Sequence, residues 1–335
     1  MPKRLAVVVS CVDSPRHAKE ATKWLRLNSN SALTDIILVD NGSEIPLPKF
    51  DADLIIRLEE NVGGNAVIPI SHQILTDPAN PERYEVFAFF HCDLFIRESN
   101  WDLRVLQAFD ADSKLGLVAF VGSPEMNEIG GRGAGTRLNY LGDFYEGFGQ
   151  CSTSEMHGIR ESGLLPIANL DHCAMIFRDT CFTEIRDHVG YCPTHFYDRA
   201  LIAECNYRDW HCAYLGILCD HSNGGTAEGI VSQDRLLRRW LDKEGLPYQA
   251  GVNQIIEGGN PAHLLPTTLD RPDVVAYTES ERRFLQRYRQ ELKLVPFFVQ
   301  PDYSKIYWSH NGRRWVSRTE KCDVCSWNQA CLRHS

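Results

Sequence analysis

The chain has 335 residues, of which 43% are apolar and 24% are charged, and its formal net charge at pH 7 is −9. This composition is that of a globular protein with a large core, and the length predicts one large domain with an appendage or two domains. The negative charge argues against a general nucleic-acid coat protein. The longest apolar runs are strand-sized, far below the roughly 20 residues that span a bilayer, so the sequence predicts no membrane insertion.

The apolar run that follows the basic N-terminus is too short for a secretory signal, so we expect a cytoplasmic protein. The 12 cysteines lie mostly within strand-like or helix-like stretches rather than at the regular spacings of a disulfide-stapled domain. This distribution predicts reduced thiols.

Short β-rich runs alternate with helical patterns over the first hundred residues. The predicted strands are residues 5–12, 35–39, 54–57 and 86–90, and the predicted helices are residues 16–27 and 65–75. The alternation predicts an α/β fold with a doubly wound, mostly parallel sheet. Ligands of such sheets bind at the carboxyl ends of the strands, where this chain has Asp13, Asp40, the turn 61–65 and Asp93.

Glycine is frequent between residues 122 and 149, which predicts a long functional loop or lid. Residues 174–177 return to the sheet, and helical patterns follow at 196–204, 232–244 and 280–292. We therefore expect a main domain at 1–235, a helical extension at 236–300 and a basic, aromatic tail at 301–335.

The fourth predicted strand ends in His91, Cys92 and Asp93. Because side chains alternate along a strand, His91 and Asp93 can lie on one face. Such a pair can hold a divalent cation that neutralises a departing diphosphate. The alternative interpretation of these residues is a capping aspartate beside a buried histidine.

Four segments resemble, in order and spacing, motifs of the GT-A glycosyltransferases, most closely the family 2-like group. They are the opening strand that ends at Asp13, the segment Val39-Asp40-Asn41-Gly42-Ser43, the segment Asn61-Val62-Gly63-Gly64-Asn65, and His91-Cys92-Asp93 in the place of the family's Asp-x-Asp. The resemblance covers roughly residues 4–235. It implies the GT-A fold and transfer of a sugar from a nucleotide-sugar donor.

The same resemblance implies which residues bind the donor and the metal. Donor-binding roles follow for Asp13, Asp40, Asn61, Gly63, Gly64 and Asn65. Asp93 and His91 are implied ligands of Mn²⁺ or Mg²⁺, and the histidine favours Mn²⁺. His221 lies in a segment similar to the family's His-x-x-Gly-Gly, which implies a third metal ligand or a diphosphate contact; a structural histidine is the alternative.

The resemblance also implies a catalytic base. Residues 170–178 are similar to the family's acceptor-side strand, and Tyr197-Asp198 is the best match to the acidic pair that follows it. Asp198 is thus predicted to take the proton from the acceptor hydroxyl in an inverting transfer, with Asp171 as the second choice. Retention stays open because GT-A folds support both outcomes, and a solvated helix acid is the alternative for Asp198.

Two features favour other functions. The segment 130–137 superficially resembles the glycine-rich signature of sugar nucleotidyltransferases, although it follows the fourth predicted strand rather than the first. The C-terminal set Cys322, Cys325, Cys331 and His334 has the ligand types of a structural Zn²⁺ site. With the nearby Trp308 and Trp315 it could form a module that binds a nucleic acid or another partner. The acceptor stays open between a glycan and a modified nucleic-acid base.

Overall fold

The computed structural model describes residues 3–132, 136–145, 148–150, 159–192, 196–222, 272–299, 307–309 and 314–316. Its helices are α1 (Pro15–Asn28), α2 (Val67–Leu75), α3 (Trp101–Ala111), α4 (Asp179–Ile185), α5 (Tyr197–Tyr207) and α6 (Pro272–Phe284), with a 3-10 turn at Arg186–His188 and π-helical turns at Leu285–Glu291. Its strands are β1 (Leu5–Cys11), β2 (Thr34–Asn41), β3 (Leu54–Leu58), β4 (Val86–His91), β5 (Leu94–Ile96), β6 (Leu115–Ala119), β7 (Val121–Ser123), β8 (Glu125–Met126), β9 (Arg137–Leu138), β10 (Phe144–Tyr145), β11 (Gly149–Gln150), β12 (Leu164–Pro166), β13 (Asn169–Leu170), β14 (Ala174–Arg178), β15 (His211–Leu215), β16 (Cys219–His221), β17 (Phe297–Phe298), β18 (Tyr307–Ser309) and β19 (Arg314–Val316).

The central sheet has eight strands in the order β12-β15-β6-β14-β4-β1-β2-β3. β1 pairs in parallel with β2 and β4, and β2 with β3. β14 is inserted antiparallel between β4 and β6, and β12 is antiparallel to β15 at the edge. The α/β fold with a mostly parallel sheet is therefore confirmed, and it agrees with the GT-A architecture that the sequence resemblance implies.

Helices cover both faces of this sheet, which explains why the central strands are apolar throughout. Val7 and Val9 of β1 pack with Ala21 and Leu25 of α1 in one core cluster. Val8 of the same strand belongs to a second cluster on the opposite face, which includes residues of α2, α4 and α5. A strand buried on both faces carries a continuous apolar run rather than an alternating one. The doubly wound arrangement follows from this burial.

The C-terminal helix packs against the main sheet layer. Phe284 and Tyr288 are fully buried in the same cluster as α5. Glu204 of α5 has no exposed surface; it accepts a hydrogen bond from the Tyr288 hydroxyl at 3.0 Å and pairs with Arg287 at 2.7 Å. Residues 272–299 are thus joined to the main domain by both apolar and ionic contacts.

Most predicted elements are present with shifted ends. The helix predicted at 280–292 overlaps the helical segment 272–291, and the helix predicted at 196–204 corresponds to α5. The stretch 122–149 was predicted as one long loop, but its described part contains the short strands β7 to β10. Backbone pairing of β7 with β9 and β13, and of β8 with β17, provides this order. The helices α3 and α4 are not among the predicted elements.

Cysteine chemistry and membrane contact can be stated for the described residues. Their cysteines are free thiols, as expected, and the sulfurs of Cys181 and Cys205 are 3.7 Å apart in the core. Within the described ranges, no helix combines the length and apolar character that crossing a bilayer requires.

Candidate active site

The carboxyl ends of β1, β2 and β4 lie side by side at one edge of the sheet. In the strand register, Ser10 is the partner of His91, and Cys11 is the partner of Asp40. Asp13 is the second residue after the end of β1. Parallel strands bring the residues that follow them to one edge of the sheet. The polar segments predicted to lie together therefore begin next to one another at this edge.

Three side chains at this edge, His91, Asp93 and His221, form a group that we call the metal cluster. Their candidate ligand atoms all lie within 4.8 Å of one another. Nε2 of His221 is 3.3 Å from Oδ1 of Asp93, and Nδ1 of His91 is 3.7 Å from the same oxygen. The structure therefore brings together the three residues that the sequence resemblance assigned to a metal.

A short antiparallel ribbon brings His221 to this place. After β4 the chain turns through Asp93 and enters β5, which pairs with β16 so that His221 is opposite Leu94. The backbone N–H of Ser222 donates to the carbonyl oxygen of Asp93 at 2.9 Å. The ribbon holds two segments that are far apart in sequence at hydrogen-bonding distance.

The cluster fits a divalent cation with mixed nitrogen and oxygen ligands. Metal–ligand bonds of about 2.1 Å place neighbouring donor atoms about 3 to 4 Å apart. The observed separations of 3.3 and 3.7 Å lie in this range. Two imidazoles and one carboxylate suit Mn²⁺ better than Mg²⁺, which prefers oxygen ligands.

The protonation states of the cluster also suit a metal. Burial is the largest influence on Asp93 and favours its neutral form, but His221 and His91 outweigh it, so the pKa of Asp93 is well below its usual value. Burial and the neighbouring His172 lower the pKa of His91 to about 3. At neutral pH the carboxylate is ionised and His91 is unprotonated, which are the forms that bind metal.

His172 connects the metal cluster to Asp198. The rings of His172 and His91 have centroids 4.5 Å apart. Nδ1 of His172 is 3.5 Å from Oδ2 of Asp198. Sequence reasoning gave His172 no role; its position just before β14, beside the end of β4, was the available signal. The side chains therefore form a continuous series from the cluster to the predicted base.

Asp198 lies in the first turn of α5 and is only 7% exposed. Burial is the largest influence on Asp198 and raises its pKa, but the adjacent His172 outweighs burial, so the pKa of Asp198 is lowered. Burial is also the largest single influence on the pKa of His172 and lowers it. Asp198 and Asp171 together outweigh burial, so the pKa of His172 is raised. The pair thus keeps Asp198 ionised.

Asp171, the second choice for the base, has a different partner. Its Oδ2 is 2.8 Å from Nη1 of Arg132, and its Oδ1 accepts the backbone N–H of Cys173 at 3.0 Å. Burial raises the pKa of Asp171, but Arg132 and His172 outweigh it, so the net shift is downward. Asp171 is thus an ionised carboxylate held between β13 and β14.

Asp40 is completely buried and organises the loop after β2. Its two oxygens accept the backbone N–H groups of Ser43 and Leu47, each at 3.0 Å, and Arg57 also contacts the carboxylate. Asp13 joins the same loop, because its backbone N–H donates to Oγ of Ser43 at 2.9 Å. The predicted donor contacts of Asp40 and Asp13 stay predictions, and the structure gives both residues a role in shaping this loop.

The turn 61–65 is tied to the end of β2 through Asn41, which the sequence analysis did not single out as a site residue. Nδ2 of Asn41 donates to Oδ1 of Asn61 at 3.0 Å, and Oδ1 of Asn41 accepts the N–H of Val62 at 3.0 Å. Gly63 has a φ of 93°. No atom lies within 4 Å of a β-carbon built on Gly64, so this part of the turn is open.

Two further residues of this region have structural roles. Gly42 has a φ of 72°, and a β-carbon there would lie 2.2 Å from the carbonyl carbon of Glu60. Nδ2 of Asn65 is 3.5 Å from the carbonyl oxygen of Cys192. Gly42 lets β2 and the turn approach closely, and the donor-binding role of Asn65 stays a prediction.

In the glycine-rich segment 130–137, the backbone groups of Gly131 are bonded to Asn127. The N–H of Gly131 donates to Oδ1 of Asn127 at 2.6 Å, and the carbonyl of Gly131 accepts the N–H of Asn127 at 2.9 Å. A β-carbon on Gly130 would lie 2.6 Å from the Phe284 ring, so this glycine allows α6 to pack. These contacts do not leave Gly131 available to cradle a triphosphate.

Two predictions lie outside the described residues. They are the helix predicted at 232–244 and the zinc site of Cys322, Cys325, Cys331 and His334.

No protein-family model and no curated protein matches this chain. Among solved structures, S. aureus TarS (residues 1–349) is similar over 86% of this chain and 73% of that chain, at 12% identity and a TM-score of 0.43. The Pyrobaculum calidifontis mannosyltransferase PcManGT, solved with GDP-Man and Mn²⁺, matches over 84% and 70%, at 13% identity and a TM-score of 0.45. Glucosyl-3-phosphoglycerate synthase from Mycobacterium tuberculosis matches over 75% and 83%, at 12% identity and a TM-score of 0.41. Such distant similarity transfers no residue role, donor or acceptor.

Proposed function

We propose that this chain is a metal-dependent glycosyltransferase of the GT-A type that moves a sugar from a nucleotide-sugar donor to an acceptor hydroxyl with inversion. One observation carries the proposal. The metal cluster and the His172–Asp198 pair meet at the carboxyl edge of the sheet, through the contact of His91 with His172 at 4.5 Å between ring centroids. A site for a cation and a group that can accept a proton are thus adjacent.

The metal cluster accounts for the donor side of the reaction. A divalent cation held by His91, Asp93 and His221 would supply positive charge to the diphosphate that leaves with the donor nucleotide. Asp93 and His91 have the protonation states that this binding needs. The two histidine ligands and one carboxylate ligand favour Mn²⁺ over Mg²⁺ as the cation.

Asp198 accounts for the acceptor side. An inverting transfer needs a carboxylate that takes the acceptor's proton while its oxygen attacks the sugar carbon opposite the leaving group. Asp198 is ionised, and its Oδ1 accepts the backbone N–H of Arg199 at 2.8 Å, which helps to fix the orientation of the carboxylate. The His172 ring lies between this carboxylate and the cluster and keeps both in one arrangement.

The donor nucleotide is proposed to bind beside the cluster, at the loops after β1, β2 and β3. Asp13 and the turn that contains Gly63 and Gly64 lie at these strand ends, and the open surroundings of Gly64 allow a ligand to approach the backbone. The acceptor in this proposal is a hydroxyl of a glycan or of a modified nucleic-acid base.

A sugar nucleotidyltransferase is the first rival, and a nucleic-acid-binding module with a non-catalytic sheet is the second. A thermal-shift screen of UDP-, GDP-, TDP- and CMP-sugars with and without Mn²⁺ identifies the donor, because a ligand of the native state raises the melting temperature, and assays of the released product and of nucleic-acid binding then separate all three. We expect one nucleotide-sugar to stabilise the protein in the presence of Mn²⁺ and to release nucleoside diphosphate on incubation. Release of pyrophosphate from a nucleoside triphosphate and a sugar phosphate would support the first rival instead. No stabilisation by any donor, together with binding of nucleic acid, would support the second.

A further inference from the structure

Asp220 immediately precedes the metal-cluster residue His221 and has no exposed surface. Its Oδ1 accepts the backbone N–H groups of Gly142 at 2.8 Å and of Asp143 at 3.2 Å. Its Oδ2 accepts the hydroxyl of Tyr145 at 2.8 Å and Nη1 of Arg97 at 3.0 Å. A carboxylate offers about four acceptor sites, so these four donors saturate Asp220.

The donors to Asp220 come from two places, the end of β5 and the segment 139–145, which we call the strap. The strap lies along β16: the N–H of Leu141 donates to the carbonyl of Cys219 at 3.0 Å, and the Tyr140 and His221 rings have centroids 6.0 Å apart. Successive side chains of a strand point to opposite faces. The side chain of His221 therefore points toward the other two residues of the metal cluster. The side chain of Asp220 points to the opposite face, toward Arg97 and Tyr145.

The strap also reaches α1. The guanidinium of Arg97 lies over the Trp24 ring of α1, 4.2 Å from its centroid, and the Tyr145 and Trp24 rings have centroids 6.4 Å apart. The ring of Tyr145 also contacts Phe95 of β5, with centroids 5.4 Å apart. Asp220 is thus the point at which β5, the strap and the residues packed on α1 are joined.

The ribbon is short, and Asp220 adds an anchor to it. β5 and β16 form a two-stranded sheet of three residues each. Isolated two-stranded ribbons are only marginally stable in water, so contacts with neighbouring elements stabilise this one. Hydrogen bonds within the ribbon set the register of His221 beside Asp93, and the contacts of Asp220 add a constraint from outside the ribbon.

We propose that Asp220 is a positioning residue that holds His221 in the metal cluster by fixing β16 between β5 and the strap. The inference rests on the proposed metal site and adds to it a residue that does not touch the metal. Loss of this anchor lets His221 move away from Asp93 and weakens metal binding, while Asp198 and the donor loops keep their places.

The test is a titration of the full chain and of two variants with Mn²⁺ alone. The EPR signal of the free ion measures how much Mn²⁺ is bound. Asp220→Asn keeps the size of the side chain but turns an N–H group toward Arg97 and Tyr145. Asp143→Asn is the matched control, because Asp143 also lies 3.0 Å from Nη1 of Arg97 but its side chain is 51% exposed. Replacing residues that support metal ligands typically weakens metal affinity by about 10- to 100-fold. We expect a weakening of about ten-fold in Asp220→Asn and none in Asp143→Asn.

Activity measurements give a second readout. In Asp220→Asn the Mn²⁺ concentration for half-maximal transfer should rise, and kcat at saturating Mn²⁺ should stay within about two-fold of wild type, since lost metal affinity acts through binding. A variant with a lowered melting temperature but unchanged Mn²⁺ affinity would overturn the inference, because Asp220 would then only support the fold.

Tyr145→Phe keeps the test decisive if Asp220→Asn does not fold. This change removes a single hydroxyl that donates to Asp220 and retains the ring packing, so we expect a smaller but measurable weakening of Mn²⁺ binding; unchanged binding would overturn the inference. The proposed function fails separately if the wild-type chain itself binds no Mn²⁺. If the wild-type chain binds Mn²⁺ and both Asp220→Asn and Tyr145→Phe bind it equally tightly, the role of Asp220 is contradicted and the proposed function is not.

Discussion

His91 and His172 lie ring against ring, with centroids 4.5 Å apart, so a residue of the metal cluster touches the residue paired with Asp198. Cation binding and proton acceptance are therefore proposed to take place in one assembly of side chains. A change at His172 should consequently affect the orientation of Asp198 without removing any metal ligand.

We expect His172→Gln to lower kcat on the order of 10²-fold, the scale at which a misplacement of about 1 Å acts. Mn²⁺ affinity should change little, because the metal-cluster side chains remain. His211→Gln is the matched control: His211 pairs with Asp112 at 2.7 Å, is largely exposed and begins β15. Steady-state kinetics with varied donor, acceptor and Mn²⁺ measure the effect, and equal rates for both variants would contradict it.

Asp198→Asn should lose about 10² to 10⁴-fold in transfer rate, because an amide cannot accept the proton of the acceptor hydroxyl. Donor binding in the thermal-shift assay should match wild type. Asp187→Asn changes a nearby aspartate whose side chain is 93% exposed and serves as control. Near wild-type transfer would place the base elsewhere, with Asp171 next. Loss of donor binding in parallel with activity would make Asp198 a donor or metal contact.

Glu204→Gln should destabilise the protein by about 3 kcal/mol, because breaking a buried ion pair leaves Arg287 and Arg208 without their counter-charge. Burial favours the neutral form of Glu204, but these arginines outweigh it, so the pKa in the folded state is below the ordinary value of 4.5. The ionic contribution is thus present above pH about 4.5 and is lost as the pH falls through the folded-state pKa.

Urea unfolding at pH 7 and at lower pH measures this contribution. The difference between wild type and Glu204→Gln should be largest at neutral pH and should shrink on acidification. Glu85→Gln provides the comparison, since Glu85 is 59% exposed in its pair with Arg4 and such surface pairs contribute about 0 to 1 kcal/mol. A Glu204→Gln cost that does not depend on pH would refute the ionic explanation.

Gly42→Ala should cost at least about 2 kcal/mol of unfolding free energy. The left-handed backbone costs an alanine about 1 to 2 kcal/mol, and the overlap with the backbone of Glu60 adds to it. Gly190→Ala, where a β-carbon meets no atom within 4 Å, should stay within about 0.5 kcal/mol of wild type. Chemical denaturation of both variants compares them, and equal stabilities would exclude the close approach at Gly42.

The apolar run of β1 and the polar residues at the carboxyl ends of β1, β2 and β4 were sufficient to predict the sheet and its ligand-binding edge. The pattern works because a strand buried on both faces carries a continuous apolar run, which Leu5 to Val9 supply. The frequent glycines after residue 122 predict a loop, and the strands that the structure shows there are only two or three residues long. Strands of this length have no alternation for a sequence pattern to reveal.

The site was predictable only where a motif marked it. His91, Asp93 and His221 were assigned from a resemblance, and the β5–β16 ribbon explains how they meet. His172 lies within the segment 170–178 and Asp220 directly precedes His221, but the resemblance implied no role for either residue. Their roles depend on contacts with residues distant in the chain, Asp198 for the first and Tyr145 for the second, which local spacing does not encode.

The central claim is that His91, Asp93 and His221 hold one divalent cation that the transfer requires. Binding of Mn²⁺ in the presence of the stabilising nucleotide-sugar, measured by EPR on wild type and on Asp93→Ala, tests it most directly. Asp110→Ala is the control, because it removes a half-exposed carboxylate that pairs with Arg4. The account predicts about one bound Mn²⁺ per chain for wild type and Asp110→Ala, and neither metal binding nor transfer for a folded Asp93→Ala. Equal Mn²⁺ binding by all three proteins, or full transfer by wild type in the presence of a chelator, would contradict it.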